Sequence, residues 1–258
     1  FEQRLQPDYS PARRPSPALM KALLINGSRS AGVDYDFQVQ NTINYQGWGL
    51  VRLRNSLHSN LTNGLAAVTN SLKFYDQSPE TALATGESKT RFVLLSDSAR
   101  TVAMRVTLVW TDPPGNPAVG IKLVNDLDLV VTNLDTGAVF VGNDISVGRN
   151  FVFPSDFTNA PPTNDIINNV ENVYISPTLG TNYSVTVSAR RVNVNSVTTH
   201  PNDIVQDYAL VISSGNGEFP DAFTTSDQPI TGGNTLDLTA LSNTLTNDPS
   251  RYAGSFVL

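Results

Sequence analysis

Large apolar residues occupy every second position of the stretch Val102-Ala103-Met104-Arg105-Val106-Thr107-Leu108-Val109-Trp110. Successive side chains of a β-strand point to opposite faces, so one face of this stretch carries the residues Val102, Met104, Val106, Leu108 and Trp110. The turn-forming sequence Thr111-Asp112-Pro113-Pro114-Gly115 follows directly and ends the strand. The stretch therefore predicts a β-strand with one wholly apolar face.

Short runs of the same kind recur at turn-punctuated intervals between about residues 72 and 214. Further strands are predicted at residues 123–131, 172–175, 183–189 and 208–212. Several strands with almost no helix are typical of a two-sheet sandwich, and we expect a jelly-roll β-sandwich or barrel. The predicted fold class is mainly β.

One helix is predicted ahead of the β region, in the stretch Ser16-Pro17-Ala18-Leu19-Met20-Lys21-Ala22-Leu23-Leu24-Ile25-Asn26-Gly27. Ser16 suits the N-cap, Pro17 suits the first helical position, and Gly27 can supply a left-handed residue at the end. A helix that is apolar all round needs cover from other elements. The next 30 residues offer too little material, so we expect a partner or a preceding part of the same polypeptide. A homo-oligomer through the exposed helix is a further expectation.

Composition divides the chain into four regions. Residues 1–57 carry the helix and a Gly47-Trp48-Gly49 sequence, and residues 58–71 read as a polar linker. Residues 72–214 form the predicted β domain. Residues 215–258 are rich in Thr, Asn and Gly, and are interpreted as an extra hairpin, an appended strand or the start of another module.

Charge and cysteine content exclude several functional classes. The net charge of −6 and the absence of a basic run argue against nucleic acid or an anionic membrane surface as a partner. The chain has no cysteine, which excludes disulfides, zinc–thiolate sites and a thiol nucleophile. No apolar run approaches the roughly 18 residues that are needed to span a bilayer.

Two sets of motifs resemble the subtilisin-like serine proteases. Residues 15–28 resemble the penultimate helix of the catalytic domain, and the segment that closes that domain is similar to Asn44-Tyr45-Gln46-Gly47-Trp48-Gly49-Leu50-Val51-Arg52-Leu53. Four β motifs in order look like the C-terminal jelly roll of the alkaline proteases of this family; they lie at residues 108–114, 123–131, 141–144 and 168–175. The resemblance covers roughly residues 15–214.

The resemblance implies a secreted, extracellular endopeptidase of which this chain is the C-terminal part. Residues 1–57 would then be the end of a catalytic domain whose serine, on a Gly-Thr-Ser-Met-Ala-type turn, lies upstream of Phe1. We therefore expect no catalytic residue in this chain, and His58 and His200 are interpreted as ordinary loop residues. The missing catalytic domain would be its partner, and peptide or protein substrates would be reached only through the parent enzyme.

Paired aspartates on one strand indicate a cation site. Asp126 and Asp128 are two residues apart, so their carboxylates project from one face, about 6.5–7 Å apart at the backbone. Exposed carboxylates side by side repel each other unless a cation lies between them, and calcium binds six to eight oxygen ligands. Asp144 and Asp165 lie in loops that could contribute. The resemblance implies structural calcium in this domain, with these four aspartates at matching positions; ordinary polar surface is the alternative.

A second function class stays open. A non-catalytic β-sandwich could bind carbohydrate or a cell-surface protein, and Trp48 and Trp110 could then stack on sugar rings. Trp110, however, shares its strand face with Val106 and Leu108, which favours packing in the core.

Overall fold

The computed structural model describes residues 15–29, 47–56, 72–145, 151–159, 161–197 and 202–214, together with three short strands between residues 228 and 257. The predicted linker at 58–71, both histidines and most of 215–258 lie outside the described residues. Within them the helices are α1 (Pro17–Gly27), α2 (Leu53–Ser56) and α3 (Asp97–Arg100), with a 3-10 turn at Pro79–Thr81. No helix in this part of the chain is long and apolar enough to cross a membrane.

Strands dominate the rest of the described chain. Their bounds are β1 Leu72–Asp76, β2 Ser88–Leu94, β3 Met104–Val109, β4 Asp126–Asn133, β5 Val139–Val141, β6 Val170–Ile175, β7 Asn182–Arg191, β8 Ala209–Ser214, β9 Gln228–Ile230, β10 Thr235–Asp237 and β11 Ser255–Val257. The strands predicted from alternation correspond to β3, β4, β6, β7 and β8, with ends that differ by a few residues.

Two antiparallel sheets face each other across one core. A four-stranded sheet has the order β1-β8-β3-β6, and a five-stranded sheet has the order β5-β4-β7-β2-β9. Val106 and Leu108 of the first sheet and Leu127 and Leu129 of the second belong to the same buried cluster. The prediction of a mainly β sandwich is confirmed, and the described strands do not close into a barrel. Strands β10 and β11 pair separately.

Strand β3 is buried on both faces. Its predicted apolar face lies in the core between the sheets, where Met104, Val106 and Leu108 are fully buried. Thr107 and Val109, on the other face, are fully buried as well. The element that covers this second face is α1.

Helix α1 packs across the outer face of the four-stranded sheet. Its residues Leu19, Ala22 and Leu23 are fully buried in a second apolar cluster, which includes Val109 of β3 and Val211 of β8. The expectation that the chain lacks cover for this helix is therefore wrong, because the sheet itself supplies it. The exposed apolar surface on which a homo-oligomer through α1 would depend is correspondingly small.

The two ends of α1 differ in how far they follow the sequence prediction. Ser16 caps the N-terminus by accepting a hydrogen bond from the Leu19 N–H at 3.0 Å, and Pro17 occupies the first turn, as expected. Gly27 is not the left-handed residue that was predicted, since it is the last helical residue and Ser28 follows with φ −70°. Its role is contact: a Cβ at position 27 would lie 2.9 Å from the Cβ of Ser56 in α2.

A buried asparagine fixes α1 to the sheet. The Asn26 amide nitrogen donates to the hydroxyl of Thr107 at 3.0 Å and to the carbonyl of Arg105 at 3.3 Å. It also lies 3.4 Å from the carbonyl of Val211, and its oxygen accepts a hydrogen bond from the Ser213 hydroxyl. One fully buried side chain thus joins the helix to β3 and to β8.

Replacing this asparagine should destabilise the whole fold. In Asn26→Ala the buried partners on β3 and β8 lose their hydrogen bonds, so the free energy of unfolding should fall by about 2–3 kcal/mol. The measurement is the midpoint of urea denaturation. Asn202→Ala, at an exposed position, is the matched control and should shift the midpoint little. Equal shifts for the two variants would show that the Asn26 hydrogen bonds contribute nothing specific.

Candidate metal centre

The paired aspartates lie at the start of β4, beside a bulge. The register of β4 against β7 shifts between Asp126 and Leu127, while Leu127 and Leu129 point into the core. The two aspartates project away from that core, in agreement with the sequence pattern. The prediction from the sequence that both carboxylates are exposed is wrong: only 2% of Asp126 and 7% of Asp128 is accessible to solvent.

Neighbouring loops and strands explain this burial. The Asn164 side-chain amide donates to Oδ2 of Asp128 at 3.0 Å, which places the loop before β6 over β4. In the same loop, Asp165 accepts a hydrogen bond from the Asn143 amide at 2.6 Å. The carboxylate of Glu171, in β6, accepts from the Leu129 N–H at 2.5 Å.

Neighbouring carboxylates raise the pKa values of three carboxyl groups at this site, those of Asp126, Asp128 and Glu171. We call Asp126, Asp128, Asp165 and Glu171 the acidic cluster. The charges of the three aspartates each raise the pKa of Glu171, and Asp126 and Asp165 raise that of Asp128. Two basic residues oppose them: Arg190, whose half-exposed side chain lies 3.8 Å from Asp126, and Arg191, whose charge also lowers the pKa of Asp126. Negative charge therefore outweighs positive charge at this site.

The pKa values of three of these carboxyl groups are raised, which means that their charged forms are disfavoured. Burial, followed by the charge of Asp126, raises the pKa of Asp128 from 3.8 to about 6. Burial also raises the pKa of Asp126, against the opposing charge of Arg190. Glu171 is wholly enclosed, and burial together with the charge of Asp128 holds its pKa well above the ordinary value. The site favours either bound protons or a bound cation.

Two buried oxygen atoms in the cluster lack hydrogen-bond donors. Oδ1 of Asp126 and Oδ1 of Asp128 are both inaccessible to solvent and have no partner among the described residues. Buried carboxylate oxygens are normally paired, because an unpaired one is costly. The residues present therefore fit a cation that would be bound by oxygen.

Carboxylates alone do not complete a metal site. Among the described residues, no group of three or more Asp, Glu, His or Cys side chains is arranged closely enough to hold a metal ion. A cation at Asp126 and Asp128 would need further oxygen ligands from amides, backbone carbonyls or water, a mixture that calcium accepts.

The predicted loop aspartates have different positions. Asp165 belongs to the acidic cluster, whereas none of the described contacts joins Asp144 to it. The side chain that reaches the cluster from this loop is the neighbouring Asn143, whose φ of 58° is in the left-handed region that asparagine tolerates. Burial raises the pKa of Asp144, but its charge is not among those that shift the pKa of Asp128.

Glu171 was not among the residues predicted from the sequence. It alternates with Val173 and Ile175 on the face of β6 that points into the core. A lone glutamate on an otherwise apolar strand face was the signal that could have identified it.

Trp110 has a structural role. It is 1% exposed, lies in the core cluster and donates from its indole nitrogen to the carbonyl of Asn125 at 2.9 Å. Trp110 is therefore not accessible to a sugar. This agrees with the sequence pattern, which favoured packing in the core. Trp48 is partly exposed, and its ring packs against that of Tyr174 at an interplanar angle of 80°, with centroids 6.5 Å apart.

Two cavities lie away from the acidic cluster. One of about 510 Å³ is lined by residues that include Phe140, Phe153 and Tyr183, and another of about 520 Å³ by Tyr75, Lys89 and others. The carboxylates of the cluster line neither of them.

Comparison with known proteins gives distant relatives. The chain is 28% identical over 236 residues to the serine protease/ABC transporter B family protein tagB of Dictyostelium discoideum, and 27% identical over 235 residues to tagD of the same family and organism. It is 29% identical over 209 residues to tagA. These alignments cover 79–80% of this chain but only 10–12% of each relative. No protein-family model matches the chain.

The pKa of Asp128 predicts how stability depends on pH in the absence of divalent cations. Between 3.8 and about 6 the folded chain holds a proton that the unfolded chain has lost. The free energy of unfolding in EDTA should therefore fall as the pH rises through this window. Urea denaturation across the window measures it. Asp128→Asn should flatten the decline, whereas Asp97→Asn, at a fully exposed carboxylate, should not. An unchanged slope in Asp128→Asn would contradict the assignment.

Proposed function

We propose that this chain is the C-terminal part of a secreted subtilisin-like serine endopeptidase. In this proposal, peptide-bond hydrolysis is carried out by an upstream catalytic domain, and the β-sandwich braces that domain. A calcium ion at the acidic cluster stabilises the sandwich. The chain itself supplies no catalytic residue.

The packing of α1 carries the proposal. Residues 15–28 resemble a helix of the protease catalytic domain, and this helix is buried against β3 and β8 of the sandwich. The buried hydrogen bonds of Asn26 add a polar attachment. The protease-like segment therefore packs directly on the sandwich, which supports a bracing role for the sandwich.

The connectivity of the sandwich supports the same family. Strands β1, β8, β3 and β6 are neighbours in one sheet, and β2, β7, β4 and β5 are neighbours in the other. This order of eight strands in two sheets, with β9 added beside β2, is typical of a jelly roll. A jelly roll is what the resemblance to the alkaline proteases implies.

The relatives support a link to proteolysis. All three have names that include a serine protease, and the similarity extends over about four fifths of this chain. The chain spans only about an eighth of their length or less, so the activity of the whole protein is part of the proposal.

Calcium would be held by residues that the structure places together. Asp126 and Asp128 would offer their unpartnered buried oxygens, with Asp165 close enough to contribute charge. When bound, the ion supplies positive charge that offsets the repulsion among the carboxylates. Asp128 already joins the start of β4 to the loop before β6 through its bond with Asn164, so binding would tie these two segments together.

The absence of catalysis in this chain is testable directly. The purified 258-residue chain should neither hydrolyse casein nor react with a serine-directed fluorophosphonate, because a triad would have to come from the upstream domain. A longer protein that includes the upstream sequence should do both. Stoichiometric labelling of the short chain, or no labelling of the long one, would overturn the proposal.

Calcium should stabilise the isolated chain. At about a hundred times its Kd, calcium should add about 2.7 kcal/mol to the free energy of unfolding, which corresponds to a rise of roughly 5–10 °C in Tm. Differential scanning calorimetry in calcium and in EDTA measures the difference. The double variant Asp126→Asn, Asp128→Asn should lose most of it.

Asp156→Asn is the matched control, since Asp156 is an exposed loop carboxylate whose hydrogen bonds are local. It should retain the full calcium effect. A calcium effect that survives in the double variant would place the ion elsewhere, and equal Tm values in calcium and EDTA would remove the calcium part of the proposal.

A further inference from the structure

We infer that Glu171 is a positioning residue for the paired aspartates and acts on them from the opposite sheet. The inference adds a residue to the proposed calcium site. It rests on the proposed function in one respect, namely that Asp126 and Asp128 bind the ion. Glu171 belongs to β6 of the four-stranded sheet, while the aspartates belong to β4 of the five-stranded sheet. Its carboxylate crosses the core between the sheets to reach β4.

The contact is made on the β5-facing edge of β4, at the point where the pairing with β5 ends. Strand β5 pairs with β4 at Val130–Thr132, and the last backbone bond on this edge joins the Gly142 N–H to the Leu129 carbonyl at 2.8 Å. The N–H and C=O of one strand residue point to the same edge, so the Leu129 N–H also faces this side. Oε2 of Glu171 accepts that N–H at 2.5 Å. The glutamate thus takes the place of a partner strand next to Asp128.

A glycine leaves room for this carboxylate. A Cβ at position 142 would lie 2.9 Å from both Cβ and Cδ of Glu171, closer than side-chain carbons approach one another. The absence of a side chain at Gly142 and the presence of the acid at Glu171 are therefore sterically matched.

The cost of burying Glu171 argues against a role in packing alone. Only 1% of the residue is exposed, and its neighbours on the strand face, Val173 and Ile175, are apolar. A leucine would fill this position without the cost of desolvating a carboxyl group. What the glutamate adds is an acceptor for the Leu129 N–H, which holds the backbone that carries Asp128.

The consequence for the site is geometric. Strand β7 pairs with the segment from Asp126 to Leu129 along one edge, so without the Glu171 acceptor the other edge, which faces β5, is held by the Gly142 bond alone among the described backbone bonds. The separation of the two aspartates would then vary, and a cation site depends on that separation. Glu171 acts through Leu129 and need not touch the ion.

The experiment compares two variants in the full 258-residue chain. Glu171→Gln keeps a side-chain oxygen that can accept the Leu129 N–H, whereas Glu171→Leu removes it. Calcium affinity is measured by isothermal titration calorimetry at a temperature where circular dichroism shows each variant folded. Hydrogen exchange of the Leu129 amide is measured by NMR in EDTA, as a readout that does not depend on calcium.

Glu171→Gln should keep calcium affinity within about threefold of the parent, and Glu171→Leu should weaken it at least about tenfold. The Leu129 amide should exchange about tenfold faster or more in Glu171→Leu, and near the parent rate in Glu171→Gln. Gly142→Ala, which crowds the carboxylate without removing it, should act in the same direction as Glu171→Leu and serves if that variant fails to fold.

Three results would overturn the inference. Unchanged exchange at Leu129 in both Glu171→Leu and Gly142→Ala would show that the glutamate does not hold β4. Equal loss of calcium affinity in Glu171→Gln and Glu171→Leu would show that the charge, and not the acceptor, matters. Parent-like affinity in Glu171→Leu would remove the link to the aspartates. If the parent itself binds no calcium, the proposed calcium site fails, while faster exchange in Glu171→Leu would still establish the hold on β4.

Discussion

Burial of β3 on both faces is the constraint on which the rest of the structure depends. Every residue of this strand is buried, so the four-stranded sheet needs a layer on each side. The five-stranded sheet covers one side and α1 covers the other, which makes a three-layer arrangement at this point. Because the hydrogen bonds of a buried asparagine must be satisfied inside this arrangement, Asn26 also fixes where along the sheet the helix lies.

The acidic cluster follows from the same compact packing. Strand β4, the loop before β6 and β6 itself come together where the sheets meet, and they bring the four carboxyl groups of the acidic cluster close to one another. Enclosure raises the pKa values of Asp126, Asp128 and Glu171, and among the described residues Oδ1 of Asp126 and Oδ1 of Asp128 have no donor. The raised pKa values mean that a bound proton, or a positive charge nearby, lowers the cost of burying these carboxyl groups.

Particular residues show which features of the fold and of the site could be predicted from the sequence. Alternation identified β3 and β4 because residues of an amphipathic strand must repeat every second position, and the same rule placed Asp126 and Asp128 together. It could not reveal that the loop at Asn164 would bury them, since that contact joins residues 36 positions apart. The prediction for Gly27 was wrong for a similar reason. A glycine that ends a helix in the left-handed conformation and a glycine that leaves room for Ser56 have the same local sequence.

The sequence by itself determined the elements: the capped helix from Pro17, the strands, the excess of acidic residues and the motifs that resemble a protease. These are local properties of backbone preference, side-chain period and charge. The tertiary structure decided which of them meet. It brought Asp165 to the paired aspartates and not Asp144, placed Glu171 across the core from Leu129, and gave α1 a sheet to cover. Such contacts depend on the packing of segments distant in the chain, and no local pattern encodes them.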